Sequence, residues 1–553
     1  DSERRWVELL AGRPDRQVLF WSVRPEYYVW LRAGRTLPDI LADTPGAPVD
    51  ILAAANESET RQFVITPVPG FADRIKQVSL SVSSLKGPGG TAIGRNCVRI
   101  DWLRYSVHAR VRKSNITFVP DPLIPVNTAV PDRADHRGPV HEPTNTAFWV
   151  TFTVPADTPA GKYRGDVTAT ISMMDGTSLV LKRDVMLEVL GIALPHRTHT
   201  RTGLFSGPYS EWLVRDLAAH RIAFGGLPND PEEFVQCGRL MNRLGHAVTF
   251  AGPWRDVYDA VGRQRSYNER YPKKSREEAL EACRSWYETY YPLLKKEGWV
   301  DQAYSRMPDE FSDAETARAV CEYVSHVRRW APGLRTMVTA SGDEKPLAEI
   351  LDDCIDIWCA SLSSRSHYQK CIDKGDEVWA YIHNYTWFPV YRGHFAGALR
   401  YLLWVFHRRN MSGICYWSVG PRGQFTKTSY GYHHIDTAMP GDGTLYYPII
   451  SEGEGAVGRP GVRPEVEAPF RRSMRLTFIR DGLEDLEYFW LLDREMKRTA
   501  NRAQKQSLEC TQALAEIDAF LATVKHQTAD PGEVDGIRRK LACLITDLYQ
   551  AGR

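Results

Sequence analysis

The sequence predicts a multidomain β + α/β protein: an N-terminal antiparallel β-sandwich, a central TIM-type (β/α)₈ barrel and C-terminal helices. Residues 62–194 contain alternating or β-branched runs separated by Pro and Gly clusters, which is typical of a sandwich. From residue 199 onwards, short apolar runs alternate with helical stretches, which indicates βα units. The expected domains are 1–198 for the sandwich, 199–455 for the barrel, and 456–553 for a helical segment packed on the barrel.

The sandwich prediction depends on three strand-like runs and one link. The runs are VSLSVSSL (78–85), FWVTFTV (148–154) and GDVTATISM (165–173). Between the last two, VPADTPAGKYRG is rich in Pro and Gly, so it predicts a turn-rich connection between two strands.

The barrel prediction depends on the number of short apolar runs. Eight occur: 202–207, 221–226, 246–252, 300–305, 334–340, 355–361, 377–384 and 412–419. Eight strands separated by helices match a (β/α)₈ barrel. The S-x-x-E patterns Ser275–Glu278 and Ser312–Glu315 predict capping boxes at the starts of two of these helices. Beyond the barrel, residues 503–526 and 533–549 predict amphipathic helices.

Composition narrows the classes of function. The formal net charge of the 553 residues is +2, so nothing favours binding to nucleic acid or to an anionic membrane. No apolar run approaches the length of about 18 residues that a membrane span needs. Sixteen Trp and 25 Tyr are compatible with sugar binding, since pyranose faces stack on aromatic rings, although large cores also use aromatics. The ten Cys lack C-x-x-C pairs and are expected to be mostly core thiols.

The first residue is Asp1 rather than Met, so we expect that a leader or another leading segment was removed. An extracytoplasmic or secreted location is favoured, but the sequence leaves the location open. It also leaves open the oligomeric state and any disulfides.

Two adjacent acids, Asp309 and Glu310, follow the fourth predicted strand. In α/β folds the carboxyl ends of the strands are where chemistry is usually placed. The alternative is that the two acids belong to the first turn of the next helix, where negative charge stabilises the helix dipole. The sequence alone leaves both interpretations open.

The end of the seventh predicted strand limits the chemistry of the acid pair. Many sugar-cleaving barrels place a second carboxylate there. Here the strand ends in Tyr381-Ile382-His383-Asn384, and its acid, Glu377, lies at the opposite end. A 2-acetamido sugar can attack its own anomeric carbon and so replace the protein nucleophile. One acid would then protonate the leaving oxygen, and the other would hold the acetamido N–H.

Four motifs in order resemble glycoside hydrolase family 123, a group of β-N-acetylgalactosaminidases. They are VPADTPAGKYRGDV, the Asp309-Glu310 pair, DGTLYYP (442–448) and RDGLEDLEYFWLL (480–492). The resemblance implies an exo-acting, retaining, substrate-assisted hydrolase. It assigns Glu310 as general acid/base and Asp309 as the carboxylate that orients the acetamido group. Phe311 stands where this family usually has Pro, which indicates a divergent branch.

Further substrate-binding candidates line the predicted site. Tyr381 could donate to the acetamido carbonyl, and the other five could contact the sugar: His383, Asn384, Trp417, Trp254 and Asp442. Each has a structural alternative, namely core packing for the aromatic residues, a satisfied loop histidine for His383 and a plain turn for Asp442. Arg480, Glu484 and Asp485 are expected to form a network at the start of a helix rather than a site.

No cofactor and no metal are expected. The cluster His433, His434 and Asp436 lacks the spacing of a known metal site. The expected partner is a glycan or glycoconjugate with a terminal 2-acetamido sugar. GlcNAc in place of GalNAc, the linkage and the aglycone stay open. So do a glycosidase for an unrelated sugar and a non-catalytic glycan-binding protein.

Overall fold

The computed structural model divides the chain into two compact units. It describes residues 17–30, 48–68, 71–108, 118–126, 145–207, 209–249, 252–263, 272–339, 345–360, 365–382, 396–420, 424–428, 431–434, 441–449, 455–457, 470–500, 508–524 and 530–551. The first unit, here called the sandwich unit, draws on 1–195, 387–405 and 421–553. The second, the parallel-sheet unit, draws on 196–386 and 406–420.

The described strands are numbered in chain order. They are β1 (Val18–Val23), β2 (Val49–Ala55), β3 (Ser58–Pro67), β4 (Ile75–Val82), β5 (Leu85–Lys86), β6 (Ala92–Ile93), β7 (Val98–His108), β8 (Phe118–Pro125), β9 (Thr146–Thr153), β10 (Gly161–Met173), β11 (Ser178–Ala193), β12 (Arg201–Gly203), β13 (Tyr304–Arg306), β14 (Arg335–Thr339), β15 (Ile357–Ala360), β16 (Glu377–Tyr381), β17 (Gly413–Cys415), β18 (Gln424–Thr428), β19 (Gly431–His434), β20 (Tyr446–Pro448), β21 (Gly455–Val457) and β22 (Phe470–Ser473).

The described α-helices are numbered in the same way. They are α1 (Glu211–Ala219), α2 (Pro231–Arg243), α3 (Trp254–Ala260), α4 (Arg276–Glu297), α5 (Ala314–Trp330), α6 (Lys345–Leu351), α7 (Arg365–Lys374), α8 (Ala398–Arg408), α9 (Met474–Ala500), α10 (Leu508–Thr523) and α11 (Pro531–Ala551). None of these described helices is long and apolar enough to cross a membrane.

The sandwich unit contains two sheets that share one apolar core. One sheet has the order β1-β3-β9-β7-β19-β18-β21, with β8, β22 and β20 attached beside β7, and the other has β2-β11-β10-β5-β6 with β4 on β10. Phe63, Phe148 and Val150 from the first sheet pack with Ile51 and Val167 from the second. The predicted runs 148–154 and 165–173 coincide with β9 and β10, and the turn-rich link joins them.

The C-terminal part of the chain lies in the sandwich unit. Strands β18 to β22 extend its first sheet, and helices α9 and α11 contact strands β8 and β11 of the same unit. The predicted division placed residues up to 455 in the barrel and the rest in a separate helical segment. The compact units divide the chain differently, because residues 421–553 return to the sandwich.

Helix α9 carries a buried network of ion pairs rather than an apolar stripe alone. Arg480 pairs with Asp481 at 2.6 Å, and Arg400 holds Asp485 through Nε at 2.7 Å. Arg538 of α11 completes the network with a 2.7 Å contact to Glu59. Charged groups that are buried away from water need partners of opposite charge to offset the lost hydration. The motif RDGLEDLEYFWLL is therefore structural in this unit, and Arg480, Glu484 and Asp485 form the network that the sequence favoured.

Asp481 makes the stability of this network dependent on pH. Burial raises the pKa of Asp481 to about 7, and the nearby charge of Glu59 adds to that rise, while Arg480 and Arg400 act in the opposite direction. Because the pKa of Asp481 is higher in the folded state than in the unfolded state, its protonated carboxyl contributes to folding stability. This contribution is complete below the ordinary pKa near 3.8 and is lost as pH rises through about 7.

Replacing Asp481 with Asn should flatten the dependence of unfolding free energy on pH between about 4 and 7. One proton contributes a slope of at most about 1.4 kcal/mol per pH unit. Urea unfolding at several pH values measures it. The matched control is Asp493→Asn on the same helix, where the side chain is 59% exposed. Equal slopes for wild type and Asp481→Asn would contradict the assignment.

The parallel-sheet unit contains a six-stranded parallel sheet in the order β12-β17-β16-β15-β14-β13. These strands correspond to six of the eight predicted ones. The predicted strands at 221–226 and 246–252 are not strands: their described residues have no ladder partners. The expectation of a closed (β/α)₈ barrel is therefore replaced by a six-stranded sheet in the described part of the chain.

Side-chain hydrogen bonds explain why these two segments form no ladder. The Ala223 amide donates to Thr202 Oγ1 at 2.7 Å, and the Val248 amide donates to Gln302 Oε1 at 3.2 Å. Thr249 Oγ1 donates to the Phe224 carbonyl at 3.1 Å. Backbone groups that are satisfied in this way are not available for strand pairing. At Gly225 a Cβ atom would lie 2.3 Å from the Leu204 carbonyl oxygen, so only glycine allows this close approach.

The two capping predictions have different outcomes. Ser275 and Glu278 form the predicted capping box at the start of α4. Helix α5, in contrast, is capped by Asp313, whose Oδ1 accepts from the Thr316 amide at 2.7 Å. The predicted Ser312–Glu315 box is wrong by one residue, because Asp is as good an N-cap as Ser and lies next to it.

Five of the nine cysteines whose side chains the structure describes are buried free thiols, in line with the expectation that most are core thiols. The buried free thiols are Cys237, Cys283, Cys359, Cys371 and Cys415. One pair, Cys321 on α5 and Cys354 after α6, forms a disulfide.

Candidate active site

The acid pair lies outside the helix that follows it. Strand β13 ends at Arg306, helix α5 begins at Ala314, and Asp313 is its N-cap. Asp309 and Glu310 therefore occupy the loop at the carboxyl end of β13, the last strand in the order of the parallel sheet. Because Asp313 satisfies the first-turn amide, the alternative that the pair serves the helix terminus receives no support from the structure.

The backbone of the pair is held in an unusual conformation. Glu310 has φ of 48°, in the left-handed region that non-glycine residues adopt rarely and that is concentrated at functional sites. The Glu310 amide donates to the Thr339 carbonyl at 3.1 Å. The Asp309 amide donates to the Tyr258 hydroxyl at 2.9 Å. Arg263 donates from Nη1 to the Asp309 carbonyl at 2.8 Å and from Nη2 to the Glu310 carbonyl at 3.0 Å.

The carboxylate of Asp309 is buried and balanced by charge. Asp309 is 8% exposed, and its Oδ2 lies 2.9 Å from Arg306 Nη2. Its Oδ1 accepts a hydrogen bond from Thr339 Oγ1. Burial lowers the pKa of Arg306, but the charge of Asp309, the hydroxyls of Tyr258 and Tyr381 and the hydrogen bond to Asp309 together raise it overall. Arg306 thus keeps a positive charge beside Asp309, an arrangement that favours an ionised carboxylate.

Tyr381 is a protonated phenol near the acid pair. It ends β16 and is 5% exposed. Burial raises its pKa, and the negative charges of Asp309 and Glu310 raise it further. At neutral pH its hydroxyl therefore keeps its proton, which a hydrogen bond to a carbonyl oxygen requires.

The two candidate tryptophans lie in different surroundings. Trp254, at the start of α3, is 38% exposed, and its ring meets Tyr258 edge-on at 6.4 Å. The Tyr258 hydroxyl accepts a hydrogen bond from the Asp309 amide, so Trp254 is linked to the acid pair through Tyr258. Trp417 is half-buried against the apolar cluster that includes Tyr381. Trp254 thus contacts a residue that binds the acid pair, while Trp417 shares an apolar cluster with Tyr381.

The remaining three substrate-binding candidates lie either outside the described residues or in the sandwich unit. His383 and Asn384 lie outside the described residues, as does Asp436. Asp442 belongs to the sandwich unit, where it is 8% exposed between Gly441 and Gly443, both with positive φ. That surrounding is typical of a tight turn, and the motif DGTLYYP continues into β20, where the Tyr447 hydroxyl donates to Asp121.

Sequence reasoning missed four residues of the site. Arg306, Arg263, Thr339 and Tyr258 all contact the acid pair. Arg306 had a weak signal, because an arginine ends a buried strand three residues before an aspartate. Arg263 and Tyr258 lie 46 and 51 residues from Asp309, so no local pattern connects them with it.

Among the described residues, one group has the spacing of metal ligands: Asp352, Cys371 and Asp376. Lys374 Nζ lies 3.3 Å from Asp352 Oδ1 and 4.0 Å from Asp376 Oδ2. This ammonium group already supplies the positive charge that a cation would bring, so the group fits an ion-pair network.

Comparisons with known proteins agree with this fold. Residues 62–171 match the model of the glycoside hydrolase 123 N-terminal domain. A family 123 glycoside hydrolase from Clostridium perfringens, studied for glycolipid glycan hydrolysis, superposes with a TM-score of 0.61 at 14% identity over 97% of this chain and 98% of that one. Residues 62–171 thus resemble the N-terminal domain of glycoside hydrolase family 123. The chain as a whole has a fold similar to that of a family 123 hydrolase.

Other solved structures are more distant. A family 2 glycosyl hydrolase from Bacteroides cellulosilyticus has a TM-score of 0.26 at 10% identity, over 66% of this chain and 44% of that one. A β-glucuronidase from Bacteroides uniformis has 0.29 at 10% identity, over 71% and 47%. No curated protein matches the chain.

Proposed function

We propose that the protein is an exo-acting retaining glycoside hydrolase that releases β-linked N-acetylgalactosamine by substrate-assisted catalysis. The observation that carries the proposal is the Asp309-Glu310 loop itself. Its two carboxylates are adjacent in sequence, but their surroundings differ: Asp309 is paired with Arg306, whereas Glu310 is half-buried on a left-handed backbone. Adjacent acids in different environments can take different protonation states.

In the first step the acetamido carbonyl oxygen attacks the anomeric carbon, and the bond from that carbon to the leaving oxygen breaks. Glu310 donates its proton to the leaving oxygen. Asp309 accepts a hydrogen bond from the acetamido N–H and so stabilises the positive charge of the cyclic oxazolinium intermediate. Each carboxylate oxygen has two lone pairs, so Asp309 can accept this bond while it keeps Arg306 and Thr339.

In the second step water attacks the anomeric carbon from the face that the leaving group occupied. Glu310, now a carboxylate, takes the proton from this water, and the bond to the acetamido oxygen breaks. Two inversions give overall retention. Tyr381 is proposed to donate to the acetamido oxygen and hold it for attack, since its raised pKa keeps the phenol protonated.

Three aryl glycosides test the reaction. We expect turnover of aryl β-GalNAc, with the β-anomer as the first product by NMR. An aryl β-galactoside lacks the internal nucleophile, so it should react at least about 10²-fold more slowly. Aryl β-GlcNAc differs from aryl β-GalNAc in the configuration at C4, so the ratio of the two rates measures the selectivity of the site for the C4 hydroxyl. Comparable turnover of the galactoside would contradict substrate assistance, and saturable binding without hydrolysis of any of the three would indicate a glycan-binding protein.

A further inference from the structure

We propose that Arg263 is a positioning residue that fixes the catalytic loop in its left-handed conformation. The inference rests on the proposed function of the acid pair. Arg263 donates two hydrogen bonds to this loop, and neither goes to a carboxylate. It instead donates to the two successive carbonyls of Asp309 and Glu310, at 2.8 and 3.0 Å. We call Arg263 and Tyr258 together the loop clamp.

The chemistry of the guanidinium explains why an arginine suits this position. Its planar fork presents several N–H donors in fixed directions, so it can reach two acceptors at the same time. A lysine carries a single nitrogen on a flexible stem and fits two carbonyls less well. The guanidinium also lies over the ring of Phe311, 5.7 Å from its centre. Phe311 is 3% exposed and belongs to the apolar core of the parallel-sheet unit, so the ring gives the guanidinium a fixed surface.

Both members of the clamp come from one element. Helix α3 ends at Ala260, and Gly262, with φ of 74°, turns the chain after it. The Arg263 amide then donates to the Tyr258 carbonyl at 2.8 Å. Tyr258 accepts from the Asp309 amide through its hydroxyl. One helix and its terminal turn therefore bind an N–H and two C=O groups of the dipeptide.

These hydrogen bonds explain how Glu310 keeps its unfavourable positive φ angle. A non-glycine residue with positive φ persists when its surroundings fix it from several sides. Four backbone hydrogen bonds to the dipeptide are described above: three come from the clamp and one involves the Thr339 carbonyl. Without Arg263 the loop loses two of these four hydrogen bonds. We then expect the Glu310 carboxyl to shift from the position that proton transfer requires.

Arg263→Lys should lower kcat by 10- to 100-fold and leave KM within about 2-fold of wild type, because a displacement of about 1 Å can reduce a rate by about 10². The matched control is Arg276→Lys. Arg276 donates from Nε to the Ala260 carbonyl at 3.3 Å in the same turn but does not contact the acid pair. We expect its kcat to be unchanged. In the Glu310→Gln background, Arg263→Lys should have a smaller further effect, because the part of its effect that acts through the Glu310 carboxyl is already lost.

Amide hydrogen exchange tests the clamp without substrate. In Arg263→Lys the amides of Asp309 and Glu310 should exchange at least 10-fold faster, and in Arg276→Lys they should not. If Arg263→Lys does not fold, Phe311→Leu removes the ring under the guanidinium and should accelerate the same amides. Unchanged exchange, or equal kcat losses in both lysine variants, would overturn the inference. Absence of turnover by the wild type would instead overturn the proposed function.

Discussion

Replacing Glu310 with Gln is expected to reduce turnover by about 10²–10⁴-fold on glycosides with poor leaving groups. Glutamine is nearly isosteric but has no proton to give to the leaving oxygen. An activated aryl glycoside leaves as a stable phenolate and needs little proton transfer, so the variant should retain much more of its activity on that substrate. The loss should therefore increase as the leaving group becomes more basic.

Rates on a series of aryl β-GalNAc substrates, from nitrophenyl to unactivated phenyl, measure this dependence. The control is Glu315→Gln, which changes an exposed acid in the first turn of α5. We expect that variant to behave as wild type. A uniform loss across the series for Glu310→Gln would mean that Glu310 is not the acid, and the assignment would be withdrawn.

The sequence predicted those parts of the fold that local patterns determine. Strand-like alternation located β9 and β10, and apolar runs located six strands of the parallel sheet. The two failed strand predictions contain apolar residues too, but their backbone groups bond to Thr202 and Gln302. Whether an apolar segment pairs as a strand depends on such distant partners, which no local pattern contains.

The location of the acid pair was predictable, but its surroundings were not. The position of Asp309 and Glu310 after a strand follows from short-range sequence. The clamp consists of Arg263 and Tyr258, which a helix of about 20 residues separates from the pair along the chain. The sequence likewise predicted a network of charged residues on α9, but only the distant partners Arg400 and Arg538 explain the burial of Asp485. Long-range pairing of polar groups is specified by three-dimensional packing.

Replacing Asp309 with Asn is expected to slow the reaction by about 10²–10³-fold for every leaving group, because the variant loses one charge-assisted contact to the transition state. Asparagine has one acceptor oxygen and one NH₂ group. With its oxygen directed at Arg306, its NH₂ group faces the Thr339 hydroxyl, which must then accept a hydrogen bond rather than donate one. It also brings no negative charge to the acetamido N–H, so formation of the oxazolinium ring is the step that should slow.

The dependence on the leaving group separates the two acids. For Asp309→Asn the plot of log kcat against leaving-group pKa should run parallel to that of wild type, while for Glu310→Gln it should be steeper. The melting temperature must be measured as well, because Arg306 is buried and its charge is left unpaired in Asp309→Asn. The matched control is Asp313→Asn, which alters the helix cap nearby but not the acetamido contact. Near wild-type turnover by Asp309→Asn would show that Asp309 only holds Arg306 and Thr339 in place, and the two-carboxylate mechanism would then be wrong.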